Sequence, residues 1–349
     1  MEQDAYFMSR CIKLAKNALG NTYPNPLVGS VIVHNGKIIG EGFHTQAGEA
    51  HAEINAINSV KNKELLKEST LYVNLEPCSH YGKTPPCSKK IAELKIPKVI
   101  IGTIDTTDKV SGKGIKIMQQ AGIKVTTGVL ENQAREINKR FFTFHEKKRP
   151  YIILKWAQSK DGFIDIIRTK NQEIQPYWIT GLTERTLVHK WRSEEQAIWV
   201  GKNTVLKDNP KLTARQWFGQ NPLRIVTDRN LQLDKNFDIF NKSSKTIIFN
   251  YKINKQIDNI EYIKINQSPN ELQEQLTHLY QHQIQSVIIE GGAKLLQNFI
   301  DTNLWDEARI FTGKKTFQKG INAPKINYKN ISSTKKFENS ELLILRNIQ

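Results

Sequence analysis

Three soft or borderline metal ligands on short, well-separated stretches constrain the fold of this chain more than anything else in its sequence. His51 stands two residues before Glu53 at what reads as a helix start, Pro77-Cys78 arrives at the end of an apolar strand, and Cys87 opens another helix. If these side chains share a metal, the strand end and both helix starts must meet at one point. A structural zinc is usually closed by four protein ligands, whereas a catalytic one keeps three and leaves a position for water. His51, Cys78 and Cys87 supply three, and the carboxylate of Glu53 need not bind metal. The cysteines are nine positions apart. The stretch between them, Ser79-His80-Tyr81-Gly82-Lys83-Thr84-Pro85-Pro86, is rich in turn formers and can loop out to return the second thiolate.

His-x-Glu followed by Pro-Cys-x-x-Cys is the signature of zinc-dependent nucleobase deaminases, in which Glu carries protons and is not a ligand, and here the second Cys stands nine positions on instead of three. Zinc lowers the pKa of its bound water toward neutrality, so hydroxide is available to attack a ring carbon bearing an amino group. Glu53 would take the proton of that water and hand it to departing ammonia. A carboxylate at a helix start is also favoured by the helix dipole alone. A closed structural zinc, with His80 as fourth ligand, is the competing reading and leaves Glu53 without a task. His80 and His44 read better as hydrogen-bonding or surface residues, with His44 placed to contact a substrate from a hairpin end.

The 349 residues suffice for two domains, and 38% hydrophobic residues are compatible with folded cores. No run approaches the roughly 18 apolar residues of a membrane span. The start Met1-Glu2-Gln3-Asp4 lacks the pattern of a signal peptide, so a cytoplasmic protein without membrane contact is expected. Three cysteines exclude a disulfide framework, and Cys11 reads as a small buried hydrophobe. The net charge of +17 favours polyanionic partners, either nucleic acid or phosphorylated metabolites and dinucleotides. Runs such as Lys147-Lys148-Arg149 and Lys314-Lys315 read as solvated surface.

Strand and helix signals alternate through the first 147 residues. A helix over Ala5–Leu19 precedes an apolar run Leu27–Val33, an Asn35-Gly36 turn and a return strand Lys37–Phe43. Strands are expected at Thr70–Leu75, Lys98–Asp105 and Lys124–Gly128, and helices at Ser88–Leu94, Gly114–Ala121 and Glu131–Phe144. A basic stretch ending in Pro150 marks the boundary between domains at 1–147 and 148–349. Beyond it, strand signals fall at Tyr151–Trp156, Ala197–Val200, Leu223–Thr227, Lys245–Phe249, Ser286–Glu290 and Leu342–Leu345. Ser268-Pro269-Asn270-Glu271 has the form of a capping box opening a helix toward His282, and Ala293–Asn303 reads as a further helix after Gly291-Gly292.

Thr22-Tyr23-Pro24-Asn25-Pro26-Leu27-Val28-Gly29, His51-Ala52-Glu53 and the run from Glu76 to Cys87 together resemble the deaminase half of the bifunctional riboflavin-biosynthesis deaminase/reductase family. The long insert between the cysteines is specific to that branch. The resemblance implies a diaminopyrimidine ribose phosphate as substrate, with Asn25, His44 and Lys83 as contacts. One departure stands out. The family's Asp-Pro-Asn-Pro is replaced by Asp105-Thr106-Thr107-Asp108 ahead of Gly112-Lys113-Gly114, leaving open whether Thr107 takes over the contact of the missing Asn.

Lys155-Trp156-Ala157-Gln158-Ser159-Lys160-Asp161-Gly162 and the run from Gly201 to Arg215 resemble the reductase half of the same family. So does Ile288-Ile289-Glu290-Gly291-Gly292, a strand entering a helix whose exposed amides can hold a pyrophosphate. No G-x-G-x-x-G dinucleotide fingerprint is present. The resemblance spans nearly the whole chain. It implies a cytidine-deaminase-like α/β/α layered domain followed by a dihydrofolate-reductase-like α/β domain, with one zinc in the first and NADPH in the second.

By the same likeness Lys155, Asp208, Arg215 and Glu290 line the ribose phosphate, with Thr180, Arg192 and Leu212 nearby. Ala157, Gly201, Thr204, Thr227, Gly291 and Gly292 approach the cofactor. A Lys155/Asp208 pair would manage protons, and Arg215 would grip phosphate as a fork. Arg229 at a strand end is a candidate for the 2′-phosphate of NADPH, against the plainer reading of a surface arginine. The insertion Arg168–Pro176 is longer and more polar than the family pattern.

A nucleic-acid base deaminase of the tRNA type is the first rival, opposed by the long cysteine insert and the lack of an RNA module. A zinc-stabilised binding protein without catalysis is the second, and release of ammonia separates it from an enzyme. A phosphorylated pyrimidine and NADPH, not nucleic acid, are the expected partners, and a homo-oligomer is expected.

Overall fold

The structure, a computed structural model, describes residues 2–79, 81, 85–107, 110–168, 174–327 and 330–347. The chain forms two compact units, Met1–Lys148 and Arg149–Gln349.

The first unit carries helix α1 (Glu2–Lys16), the hairpin β1 (Gly29–His34) and β2 (Lys37–Phe43), α2 (Ala52–Ser59) and β3 (Thr70–Leu75). It continues through α3 (Cys87–Glu93), β4 (Lys98–Thr103), α4 (Lys113–Gln120), β5 (Lys124–Thr126), α5 (Glu131–Ile137) and α6 (Lys139–Lys147). The sheet order is β2-β1-β3-β4-β5, with β1 antiparallel to its neighbours and β3, β4 and β5 parallel. Asn35 and Gly36 both have positive φ, which suits the two-residue hairpin turn.

Successive residues of each strand feed opposite cores. Val31, Tyr72 and Ile100 pack beneath α1 and α5, while Ile32, Leu71, Val73, Val99 and Ile101 pack beneath α2, α3 and α4. The result is an α/β/α sandwich. Cys11, on the inner face of α1, is fully buried, its thiol donating to the Tyr72 carbonyl and its pKa raised by that burial.

The helix expected over Glu131–Phe144 is two helices. Between them Asn138 turns inward, accepting from the Leu27 amide at 2.7 Å and donating to the Leu27 carbonyl at 2.9 Å. Satisfying those buried groups outweighs helix continuity.

The second unit starts with β6 (Tyr151–Gln158), β7 (Phe163–Ile166), α7 (Leu182–Glu194), β8 (Ala197–Gly201), α8 (Lys202–Asp208) and β9 (Leu223–Thr227). Then come β10 (Thr246–Asn250), β11 (Lys255–Ile257), β12 (Ile260–Lys264), α9 (Glu271–Gln281), β13 (Ser286–Ile289) and α10 (Ala293–Asp301). It closes with β14 (Glu307–Gly313), β15 (Gly320–Asn322), β16 (Ile331–Lys336) and β17 (Ser340–Arg346). Among the described residues the main sheet runs β11-β12-β10-β9-β8-β13-β6-β14-β17-β16, and β15 pairs with β7 separately. From β12 across to β14 the neighbours are parallel.

One face of the sheet packs Leu154, Trp199, Phe249 and Ile289 against α9 and α10. Ile153, Ile288 and Phe311 pack on the other face against α7.

Two expectations fail here. Ser268 does not open a capping box: α9 begins at Glu271, and the Ser268 hydroxyl instead accepts from the Asn270 amide at 3.2 Å, leaving Pro269 outside the helix. Arg149 is not solvated. It is buried and forked onto Asp306 at 2.5 and 2.8 Å, and the same carboxylate accepts the Ile152 amide, which anchors the first strand of the unit.

Candidate functional site

In the first unit, β2 approaches α2 so closely that side chains are excluded. A Cβ on Gly42 would lie 2.6 Å from the Ala56 amide nitrogen, and one on Gly40 would lie 2.5 Å from the Ala56 carbonyl. This contact places His51, the N-cap of α2, beside the end of β3. His51 Nδ1 is 3.5 Å from Cys78 Sγ and 3.3 Å from Cys87 Sγ, and the three ligand atoms lie within 4.8 Å of one another. Bonds to zinc of about 2.0 Å from His and 2.3 Å from Cys, at a tetrahedral angle, put nitrogen and sulfur roughly 3.5 Å apart. Both nitrogen-to-sulfur distances therefore match those of a zinc site.

The Cys78 thiol is held well below its usual range by hydrogen bonds from the Cys87 thiol and from His51, while Cys87, as donor to Cys78, is pushed up. The Cys87 amide also donates to Cys78 Sγ at 3.3 Å. Glu53, on the first turn of α2, is buried against this cluster, and its pKa is pushed up to about 7 by burial and then by the charge of Cys78.

Three side chains that sequence reasoning did not single out set this geometry. Glu76 accepts from the backbone amides of Gly112 and Gly114 at 3.0 Å each, Ile115 at 3.3 Å and Asp105 at 3.4 Å, tying the strand that delivers Cys78 to the start of α4. A Cβ on Gly114 would lie 2.2 Å from the Pro77 carbonyl, so only glycine permits this approach. Asn74 accepts from the Gly29 amide at 2.7 Å and donates to the Leu27 carbonyl, which with Asn138 fixes the loop after Asn25. An asparagine inside an apolar strand was the available signal.

That loop brings Asn25 Nδ2 within 3.0 Å of His44 Nε2, whose Nδ1 lies 3.1 Å from the Ala50 carbonyl. The His44 ring stands edge-on to His51 at 5.5 Å, so Asn25 and His44 border the ligand cluster. Thr107 sits in the turn after β4, its amide donating to Asp105. Lys83 and His80 lie outside the described residues.

The second unit contains a cavity of about 900 Å³ at the carboxyl ends of the parallel strands, where open α/β sheets bind ligands. Lys155, Ala157, Thr180, Arg192, Gly201, Thr204 and Asp208 line it, as do Leu212, Arg215, Thr227, Arg229, Glu290, Gly291 and Gly292. Arg192 forks onto Glu290 at 2.9 and 2.7 Å, and Lys155 Nζ is 3.6 Å from the same carboxylate. The Glu290 side chain is almost wholly shielded from solvent, and although that burial raises its pKa, the nearby Arg192 and Lys155 outweigh it and hold the pKa down to about 2.

Lys155 and Asp208 do not form the expected pair. Lys155 is committed to Glu290, and Asp208 is bound by Arg168 at 2.8 Å. The Arg229 guanidinium is half exposed at the rim and paired with Glu271 at 3.0 Å. The Thr227 hydroxyl accepts from the buried Trp199 indole, so it serves the core beneath the cavity.

The start of α10 has no side-chain cap and faces the cavity behind Gly291, whose φ of 112° suits only glycine. Free helix amides beside a cationic rim suit the pyrophosphate of a dinucleotide. Arg185, Val188, His189 and Arg192 occupy one face of α7 toward the cavity, and the spacing of those basic residues was legible in the sequence. Arg192 Nη1 also donates to the Thr213 carbonyl at 3.2 Å.

Residues 1–103 match the model for the cytidine and deoxycytidylate deaminase zinc-binding region, and residues 150–317 match that for the RibD C-terminal domain. The riboflavin biosynthesis protein RibD of Aquifex aeolicus is 36% identical over 96% of this chain and 94% of its own length. The chain belongs to the RibD family. The RibD of Escherichia coli is 34% identical over 90% of the chain and 88% of its length. The crystal structure of a deaminase/reductase from Thermotoga maritima superposes with a TM-score of 0.89 at 37% identity, covering 99% of both chains. Acinetobacter baumannii RibD superposes with a TM-score of 0.88 at 30% identity, over 100% of this chain and 99% of that one. Membership of the RibD family makes the chain a bifunctional enzyme of riboflavin biosynthesis, a zinc-dependent deaminase and an NADPH-using reductase. Among the described residues no helix is long and apolar enough to cross a membrane.

Proposed function

We propose that the chain catalyses two successive reactions on one phosphorylated pyrimidine, 2,5-diamino-6-ribosylamino-4(3H)-pyrimidinone 5′-phosphate. Residues 1–147 deaminate the ring, and residues 148–349 then reduce the ribosyl group to ribityl. The observation that carries this reading is the presence in one chain of a three-ligand His/Cys/Cys cluster backed by a buried carboxylate and of a separate cationic cavity at strand ends. The T. maritima protein is named for the same pair of activities, as diaminohydroxyphosphoribosylaminopyrimidine deaminase and 5-amino-6-(5-phosphoribosylamino)uracil reductase.

His51, Cys78 and Cys87 hold zinc, which when bound supplies hydroxide at neutral pH. Glu53 takes a proton and delivers it to the amino group that leaves as ammonia, a task suited to a carboxyl buried beside the ligand cluster. Asn25 and His44 hold the ring, and Lys83, between the two cysteines in sequence, contacts the substrate.

In the second unit, NADPH when bound supplies hydride to the sugar carbon of the open-chain, imine-like form. Lys155, oriented by Glu290, provides the proton, and Asp208, which lines the same cavity from the end of α8, is a second proton-handling group. Arg215 binds the phosphate, with Arg192, Thr180 and Leu212 around the sugar. Ala157, Gly201, Thr204, Thr227, Gly291 and Gly292 border the cofactor, and Arg229 meets its 2′-phosphate at the rim. The high positive charge serves these phosphorylated ligands and not nucleic acid. The enzyme works in the cytoplasm as a homo-oligomer.

The test is incubation with this substrate, with and without NADPH, followed by mass analysis. Ammonia and the deaminated product should appear without NADPH, and the ribityl product only with it. Recovery of unchanged substrate under both conditions overturns the reading.

A further inference from the structure

The segment after β7 delivers a guanidinium into the wall of the cavity of the second unit. The Arg168 side chain is about nine-tenths buried, and every nitrogen on it is engaged. Nε and Nη2 donate to Asp165 at 3.0 to 3.3 Å, and Nη1 donates to the Gln175 and Lys207 carbonyls at 2.8 and 2.7 Å. Nη2 also donates to Asp208 Oδ1 at 2.8 Å. One side chain thus joins the strand that starts the insertion, the backbone that returns from it toward Trp178, and both the carbonyl and the carboxylate at the end of α8.

The location makes this more than a surface pair. Asp165, Arg168, Trp178, Lys207 and Asp208 all line the cavity, and Asn209, immediately after Asp208, has a φ of 39°. A helix end that turns into the left-handed region leaves the last side chain without support from a following turn. Arg168 supplies that support through the Lys207 carbonyl. A planar fork with fixed donors orients a carboxylate in a way that a point charge does not.

We propose that Arg168 is a positioning residue of the reductase site: it fixes the Asp208 carboxylate toward the cavity and locks the returning insertion segment against the end of α8. The inference rests on the reading that Asp208 handles protons in the reduction. The charged groups acting on Asp208 are Arg168 and Asp165 from the β7 side and Lys207 from α8. Burial raises the Asp208 pKa, Arg168 opposes that, Asp165 reinforces it and Lys207 lowers it weakly. Without Arg168 the carboxylate protonates at higher pH.

The full-length holoenzyme with Arg168→Ala, Arg168→Gln or Arg168→Lys is assayed for NADPH oxidation driven by the deaminated intermediate, across pH, beside Asp208→Asn. Arg168→Ala and Arg168→Gln should lower kcat about ten-fold or more, change KM for the intermediate little, and move the acid limb of the profile to higher pH. Arg168→Lys restores the position of the limb but not kcat, because it returns the charge without the fork. A purely structural role would leave the limb in place. Parental kcat and an unmoved limb in Arg168→Gln overturn the proposal, provided Asp208→Asn is impaired. Parental turnover in Asp208→Asn overturns the assignment of Asp208 itself, and the Arg168 proposal with it. If neither Arg168→Ala nor Arg168→Gln folds, as judged by thermal melting, Arg168 is a structural residue and the proposal fails.

Discussion

Arg192 holds Glu290 through both carboxylate oxygens, at 2.9 and 2.7 Å, and the two residues are 98 positions apart in the chain. Lys155 approaches the same carboxylate at 3.6 Å, so one buried acid balances two cations. Glu290→Gln leaves both cations uncompensated. Removing one member of a buried ion pair costs about 3 to 5 kcal/mol. The second unit should melt at markedly lower temperature and NADPH oxidation should be lost, while ammonia release by the first unit persists; parallel calorimetry and the two assays check this.

Glu53 touches the ligand cluster without belonging to it. Glu53→Gln should retain zinc and lose deamination by roughly 10²- to 10⁴-fold, whereas Cys87→Ser should lose both. Elemental analysis beside ammonia release is the measurement, and full turnover in the Glu53 variant refutes the proton-transfer role.

Gly114 lies against the loop that carries Cys78, with room for no side chain beside the Pro77 carbonyl. Gly114→Ala should displace that loop, weaken zinc retention against a chelator and reduce deamination, with NADPH oxidation of pre-deaminated intermediate unchanged. Parental zinc retention in this variant would mean that the loop relaxes freely.

His189 is buried and its Nδ1 has no partner among the described residues, and its pKa is lowered to about 4 by burial and by the neighbouring Arg192 and Arg215. Unfolded histidine titrates near 6.5, at about its usual value. Between these values the unfolded chain binds the extra proton, so this residue makes the second unit less stable as pH falls from about 6.5 toward 4. His189→Gln removes that contribution. Melting temperature followed from pH 7 downward should fall less steeply in the variant; identical slopes would contradict the assignment.

The first unit has its own two-sided core, so a fragment ending at Lys148 should fold, bind zinc and deaminate. Failure to obtain it as a soluble zinc-bound species points instead to a core completed by other parts of the assembly.

The candidate metal ligands, most of the strands and the mixed α/β class were legible in the sequence. His51, Glu53, Cys78 and Cys87 are chemically distinctive types at local spacings, and runs such as Thr70–Leu75 and Leu223–Thr227 carry hydrophobic signals that act over a few residues. The strand β14 (Glu307–Gly313) escaped because its charges interrupt the apolar signal and are paired only in the fold, Arg309 with Glu307 at 2.7 Å across the same strand face and Glu307 with Arg346 at 2.9 Å. Only the tertiary structure decided that Lys155 belongs to Glu290 and Asp208 to Arg168, that Asn138 breaks a helix to hold Leu27, and that backbone amides of α4 and its approach gather on Glu76. These are choices among partners of similar chemistry. They are settled by which groups the packed sheet brings within about 3 Å of each other, a distance scale on which hydrogen bonds and ion pairs act and about which sequence spacing is silent.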